Sequence, residues 1–132
     1  MHEIRHEVDI AAPADVTWRV VGDPGAIAAW LPALAESRLE GTTRFATLPD
    51  GSHSVEEVIR HSDAERSYSY VIVEAPLALE GYESTLAVHD APGGSRVVWS
   101  AHFEADDDLR SAIDGMYQNG LESLARFIET TV

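Results

Sequence analysis

The chain of 132 residues contains no cysteine. This excludes disulfides, thiol nucleophiles and thiolate metal sites, and it is compatible with a reducing compartment. No apolar run approaches the roughly 20 residues that a membrane-spanning helix needs. The polar start of the chain, from Met1 to His6, lacks the apolar segment of a secretory signal. We therefore expect a cytoplasmic protein without membrane insertion.

Positive charge is also scarce, with 9 basic against 23 acidic residues and a formal net charge of −14. A surface of this sign repels phosphate backbones and anionic lipid head groups, so we expect neither a nucleic acid nor a membrane surface as a partner. The acidity serves solubility first. It also means that any anionic ligand needs a specific local cation.

Recognisable catalytic motifs are missing as well. The sequence has no G-x-S-x-G, no P-loop and no dinucleotide fingerprint, so acyl-enzyme, nucleotide and hydride chemistry have no support. The histidines are scattered and no cysteine accompanies them, which predicts no metal site and no cofactor. His6 falls on the expected inner face of the first strand, where a hydrogen-bonded core residue is a more common role than a general base.

Apolar periodicity is what the sequence does contain. Alternating residues from Ile4 to Ile10 predict a strand, the run from Ala14 predicts a short helix, and Ile27, Trp30 and Leu31 predict a second one. Turn residues then separate short alternating runs, which predict neighbouring antiparallel strands. The predicted strands are Leu34–Glu40, Thr43–Leu48, His53–Ser62, Ser67–Glu74, Gly81–His89 and Ser95–Glu104.

A long amphipathic helix follows, from about Leu109 to Ile128. Carboxylates at 106–108 can cap its first N–H groups, and apolar residues recur at three- and four-residue spacing. Gly120 lies inside the apolar face, where it makes room for a neighbouring strand or for a ligand. We expect an α+β fold in one domain, 1–132, with a curved antiparallel sheet of six or seven strands wrapped around this helix and two short helices after the first strand.

The residues that carry a family resemblance extend over nearly the whole chain. They are Pro13 to Trp18, Gly22-Asp23-Pro24, Trp30-Leu31-Pro32, Tyr68-Ser69-Tyr70, Pro76-Leu77, Tyr82, Arg96 to Ser100 and the C-terminal helix. In this order the sequence resembles the polyketide cyclase/dehydrase and lipid-transport family of the START and birch-pollen-allergen-like (SRPBCC) superfamily. The resemblance implies a helix-grip fold with a cavity for hydrophobic small molecules between sheet and helix. Some members are cyclases, aromatases, dehydratases or lyases, and fold alone does not choose among them.

Aromatic residues are the candidate ligand-binding wall. The resemblance favours an inward orientation of the tyrosines, which suits an aromatic or partly oxygenated ligand. The alternative is that these rings only fill the core. The 74–79 connection has the composition of a movable apolar lip over an entrance. The expected wall and lip consist of Tyr68, Tyr70, Tyr82, Trp99, Met116, Tyr117, Gly120, Pro76 and Leu77.

Arg44 and Glu56 are the candidates for polar chemistry. The resemblance implies that a basic residue on the third strand and an acidic one on the fourth point into the pocket. A two-residue turn at Asp50-Gly51 would place Arg44 on the face of Glu57, whereas a three-residue turn would place it with Glu56. A buried arginine must be paired, and the alternative is a solvated surface ion pair.

These observations favour binding of a hydrophobic, aromatic or polyketide-like small molecule by a monomer or homodimer. The alternative is a cofactor-independent cyclase, dehydratase or lyase, in which Arg44 polarises a carbonyl and Glu56 or a tyrosine moves protons. A third class is an interaction module like a chaperone cofactor, which a large exposed apolar patch would favour.

Overall fold

The computed structural model describes residues 2–131 and shows a curved antiparallel sheet closed by a long helix. The strands are β1 (His2–Ile10), β2 (Glu36–Glu40), β3 (Thr43–Thr47), β4 (His53–Ser62), β5 (Ser67–Glu74), β6 (Glu80–Ala91) and β7 (Gly94–Glu104), and the helices are α1 (Ala14–Val21), a 3₁₀ helix (Pro24–Ala29) and α2 (Asp107–Thr131). The sheet order is β1-β7-β6-β5-β4-β3-β2, so each strand from β2 to β7 pairs with its sequence neighbours and β1 closes against β7. This is the predicted helix-grip fold, with seven strands.

The element boundaries differ from the prediction in a few places. The second short helix is a 3₁₀ helix that ends at Ala29, so Trp30 follows it. Strand β2 begins two residues later than expected, at Glu36, and β6 extends to Ala91. Short irregular segments carry little periodicity, and their ends are therefore the least predictable part of a fold.

Strict alternation gives the sheet its inner face. Along β7, residues Val97, Trp99 and Phe103 are at most 1% exposed, and the residues between them are less buried. The facing stripe of α2 contributes Tyr117 and Leu124, both fully buried. Burying each such side chain contributes roughly 1.5–3 kcal/mol relative to leaving it in water. The core therefore lies between the concave face of the sheet and α2.

Local hydrogen bonds stabilise the start of α2 and the turn between β3 and β4. The Leu109 N–H donates to the Asp106 carboxylate over 2.8 Å, which caps the first turn of α2 as the sequence predicted. In the β3–β4 connection, Gly51 has a φ of +89°, and the Leu48 N–H donates to the Ser52 carbonyl. This closes a three-residue turn, and the register places Arg44 opposite Glu56. None of the helices described is long and apolar enough to cross a membrane.

Candidate ligand-binding cavity

A cavity of about 110 Å³ lies between the concave face of the sheet and α2. Its wall is mainly apolar, with residues such as Ile27, Leu31, Ile72, Ile113 and Met116. This volume is below the roughly 300–1,000 Å³ of common ligand pockets, and also below the roughly 150 Å³ of an apolar cavity that holds benzene. Even a ligand of one six-membered ring therefore requires part of the wall to move.

The connection between β5 and β6 forms a part of the wall that is also exposed to solvent. Its residues Ala75, Pro76, Leu77 and Leu79 line the cavity, while Leu77 is 41% exposed. A backbone hydrogen bond of 3.0 Å from the Leu79 N–H to the Leu77 carbonyl shapes its turn. We call residues 75–79 the lip. A local turn with an apolar inner side can move without breaking the pairing of the sheet.

A buried ion pair forms the polar part of the wall. The Arg44 side chain is 1% exposed, and its Nε donates to Glu56 Oε1 over 2.7 Å. Its Nη1 donates to the Pro24 carbonyl over 3.1 Å and to the Tyr68 hydroxyl over 3.0 Å. The guanidinium carbon lies 4.4 Å from the centroid of the Tyr70 ring, a cation–π contact. Burial opposes the charge, but Tyr68 and Glu56 outweigh burial and raise the pKa of Arg44, which stays charged.

Tyr68 is a hydrogen-bond partner of Arg44 and does not itself line the cavity. Burial raises the pKa of Tyr68 to about 12, although the neighbouring Arg44 charge opposes the rise. Its ring lies 6.0 Å from the Tyr70 ring, and its side chain is 1% exposed. The hydroxyl is therefore neutral at physiological pH and serves Arg44 as a hydrogen-bond acceptor.

Ser84 joins two aromatic side chains to the sheet. Trp99 Nε1 donates to Ser84 Oγ over 2.9 Å, and Ser84 Oγ donates to the Ser100 carbonyl over 3.0 Å. The Tyr117 hydroxyl is hydrogen-bonded to Ser84 Oγ at 2.7 Å. Ser84 is 1% exposed, so water cannot take the place of its hydroxyl as the hydrogen-bond partner of these groups.

The same chain of hydroxyls continues to the cavity wall. The Tyr117 hydroxyl is also hydrogen-bonded to the Tyr82 hydroxyl, and the Tyr82 hydroxyl lies 3.4 Å from the Tyr70 hydroxyl. Burial raises the pKa values of Tyr82 and Tyr117 well above their usual range. Tyr70 and Tyr82 line the cavity, so this buried chain ends at the space where a ligand would lie.

Most of the residues proposed from the sequence lie around this cavity. Its lining contains Arg44, Glu56, Tyr70, Tyr82, Trp99, Met116, Pro76 and Leu77. The binding and catalytic roles proposed for them stay predictions.

Three proposed wall residues lie elsewhere. Tyr68 is behind Arg44, and Tyr117 is covered by Trp99, whose ring stacks on it with centroids 3.9 Å apart. A Cβ on Gly120 would lie 2.6 Å from Leu31 Cδ1 and 3.1 Å from the Trp99 ring, so core side chains fill the space that this glycine leaves.

Sequence reasoning missed several lining residues. Ile72 alternates with Tyr70 on β5, and this spacing was a usable signal. Ser54 and Leu34 carried no comparable signal, because Ser54 is a polar residue near the start of β4 and Leu34 lies in the irregular segment before β2. His6 is indeed hydrogen-bonded, to the Asp114 carboxylate at 2.9 Å, away from the cavity lining. Within residues 2–131, no group of three His, Asp or Glu side chains is arranged to hold a metal ion.

A curved sheet that grips its C-terminal helix around an apolar cavity places this protein in the helix-grip class. The chain belongs to the polyketide cyclase/dehydrase and lipid transport family, whose family model matches residues 1–129. None of the curated proteins compared with the chain matches it.

Solved structures show the same architecture. XoxI from Bacillus cereus is 29% identical and has a TM-score of 0.91, and the match covers 97% of this chain and 96% of that one. Ara h 8.0201 is 17% identical with a TM-score of 0.77, covering 98% and 99%. A point mutant of norcoclaurine synthase from Thalictrum flavum, solved with a transition-state analogue, is 22% identical with a TM-score of 0.71, covering 98% and 92%. The last two similarities concern the fold alone.

Proposed function

We propose that the protein binds a hydrophobic, aromatic or polyketide-like small molecule in the cavity between sheet and α2. The observation that carries this proposal is the composition of the wall, in which apolar side chains surround the buried pair of Arg44 and Glu56. A core that served packing alone would gain from replacing such a pair with apolar residues. The family to which the chain belongs supports the same function.

Titration with toluene and with 2-naphthol tests this proposal. Trp99 lines the cavity, so its indole N–H resonance should shift as each ring binds. The larger 2-naphthol requires the lip to move further than toluene does, and amide resonances of residues 75–79 should therefore respond to it more strongly.

Two substitutions on β5 provide a matched pair. Ile72 lines the cavity, whereas its neighbour Val73 is 64% exposed. Ile72→Trp should fill the cavity and abolish the response, while Val73→Trp should leave it intact. Absence of a response to both rings in the unmodified protein, or a response that survives Ile72→Trp, would contradict the proposal.

A second candidate function is cofactor-independent catalysis of cyclisation, dehydration or bond cleavage. It is favoured by the presence of a cation and a carboxylate on one cavity wall, because Arg44 can polarise a carbonyl and Glu56 can accept a proton. A linear poly-β-keto thioester is a suitable substrate for its test. Glu56→Gln should lower turnover by a factor of about 100 to 10,000, while Glu57→Gln on the other face should not. If the thioester is cyclised, dehydrated and cleaved no faster than in buffer, catalysis on this substrate class is refuted and binding is left as the function.

A further inference from the structure

We propose that the ligand is uncharged at its polar end and presents a hydrogen-bond acceptor next to a hydrogen-bond donor there. Primary amides, enols and hydroxy ketones have this combination. The inference rests on the proposed binding function and specifies the chemical class of the ligand. It comes from the hydrogen bonds that Arg44 and Glu56 leave unused.

Arg44 has donors to spare. A guanidinium carries five N–H groups, one on Nε and two on each terminal nitrogen. Nε donates to Glu56, and Nη1 donates to Pro24 and Tyr68. Nη2 has no acceptor among residues 2–131. Within these residues, the one fully buried side-chain nitrogen or oxygen without a hydrogen-bond partner is Nδ1 of His102. Nη2 is therefore not fully buried. Arg44 lines the cavity, and we assign the free N–H groups of Nη2 to that space.

Glu56 leaves a complementary acceptor. Its Oε1 accepts the hydrogen bond from Arg44 Nε, and Oε2 has no donor among the described residues. The side chain is 12% exposed and lines the same cavity. The ion pair thus uses one contact where a guanidinium and a carboxylate commonly make two. A donor and an acceptor are therefore left beside each other on one wall.

The charge balance of the wall argues against an ionic ligand. Arg44 and Glu56 neutralise each other, and no other charged residue within 2–131 lines the cavity. A carboxylate would gain the free donors of Arg44 but would bring a second negative charge beside Glu56 in an apolar space. An ammonium group would meet the converse problem beside Arg44. A neutral group that accepts from Nη2 and donates to Oε2 satisfies both residues without adding charge.

Four probes of nearly equal shape test this inference: benzamide, acetophenone, benzoate and benzamidine. Benzamide offers an acceptor and a donor, acetophenone offers an acceptor only, and the other two carry a negative and a positive charge. Titrations followed by the Trp99 indole resonance should show benzamide binding about tenfold more tightly than each of the other three. Tighter binding of benzoate or benzamidine than of benzamide would overturn the inference.

Glu56→Gln and Glu57→Gln form the matched pair of variants. Both remove one negative charge, but Glu57 lies on the outer face, where the hydroxyls of Thr42 and Thr43 donate to it. Glu56→Gln leaves Arg44 without its counter-charge, so benzoate should then bind about tenfold more tightly than benzamide. Glu57→Gln should leave the order of the probes unchanged. An order that Glu56→Gln does not alter would also overturn the inference.

Toluene separates this inference from the function on which it rests. A response to toluene without any response to benzamide would leave hydrophobic binding in place and refute the proposed ligand class. Absence of a response to toluene and to all four probes would refute both.

Discussion

Replacement of Ser84 by alanine should destabilise the fold more than its size suggests. The substitution removes the acceptor of the Trp99 indole N–H, and Trp99 is 1% exposed. Leaving one buried donor unpaired costs about 1–3 kcal/mol. The Tyr117 hydroxyl keeps its bond to Tyr82, and the Ser100 carbonyl belongs to a paired strand, so neither adds a full penalty. We expect a loss of about 2 kcal/mol in the free energy of unfolding.

Urea denaturation followed by tryptophan fluorescence measures this loss, and the melting temperature should fall by about 8 °C for a chain of this length. Ser69→Ala is the control, because Ser69 is also buried, at 4% exposure. Its hydroxyl is bonded to that of Thr85 at 2.7 Å, on the outer face, where water can replace it. Ser69→Ala should therefore cost about 1 kcal/mol or less. Equal losses in the two variants would refute the argument that the unpaired indole dominates.

Three further predictions concern the helix, the tyrosines and the ion pair. Gly120→Ala should lower the free energy of unfolding by about 1–3 kcal/mol, because its Cβ would meet a leucine and a tryptophan side chain at 2.6 and 3.1 Å. Gly115→Ala has open space and should raise it by up to about 1 kcal/mol; equal effects in urea denaturation would contradict both. The pKa of Tyr68 is raised from 10.0 to about 12 in the folded protein, so the Tyr68 hydroxyl loses its proton at a lower pH in the unfolded chain. The contribution of Tyr68 to the free energy of unfolding is therefore complete below pH 10 and should disappear as the pH rises to 12. Absorbance at 295 nm should show that Tyr68, Tyr82 and Tyr117 stay protonated near pH 10 until the chain unfolds. Arg44→Met should cost about 3–5 kcal/mol by leaving Glu56 unpaired, and adding Glu56→Leu should recover most of it; a double variant no more stable than Arg44→Met would show that lost packing is responsible.

The sequence predicts the fold well because its signals are local and repeated. Alternation along the strands and the stripe of α2 each use many residues, so a single exception does not change the prediction; an example is Val98, an apolar residue between the inward positions of β7. The pairing of Arg44 with Glu56 was different, since one residue in the turn length decides it. Gly51, in a left-handed conformation, gives the three-residue turn, and both turn lengths were open from the sequence.

Depth within the core was not readable from the sequence. Periodicity shows which face a side chain occupies, but it does not show which neighbour lies above it. Tyr117 and Tyr68 point inward as expected, yet Trp99 covers the first and Arg44 covers the second. Gly120 was expected to make room, and the atoms that fill this room belong to residues about 90 and 20 positions away.

The buried chain of hydroxyls has a direction. An indole N–H can only donate and a carbonyl can only accept, so the single proton of Ser84 goes to Ser100 and the Tyr117 hydroxyl must donate to Ser84.

The same reasoning extends the direction to the cavity. Tyr82 must then donate to Tyr117, because the proton of Tyr117 is already engaged. At the cavity, the oxygen of Tyr82 is therefore left with lone pairs only, which the Tyr70 hydroxyl reaches at 3.4 Å. Two groups on β7, the Trp99 indole N–H and the Ser100 carbonyl, thus set the direction of the hydrogen bonds as far as the cavity wall. A molecule that approaches Tyr82 can donate a hydrogen bond to its oxygen but cannot accept one from it.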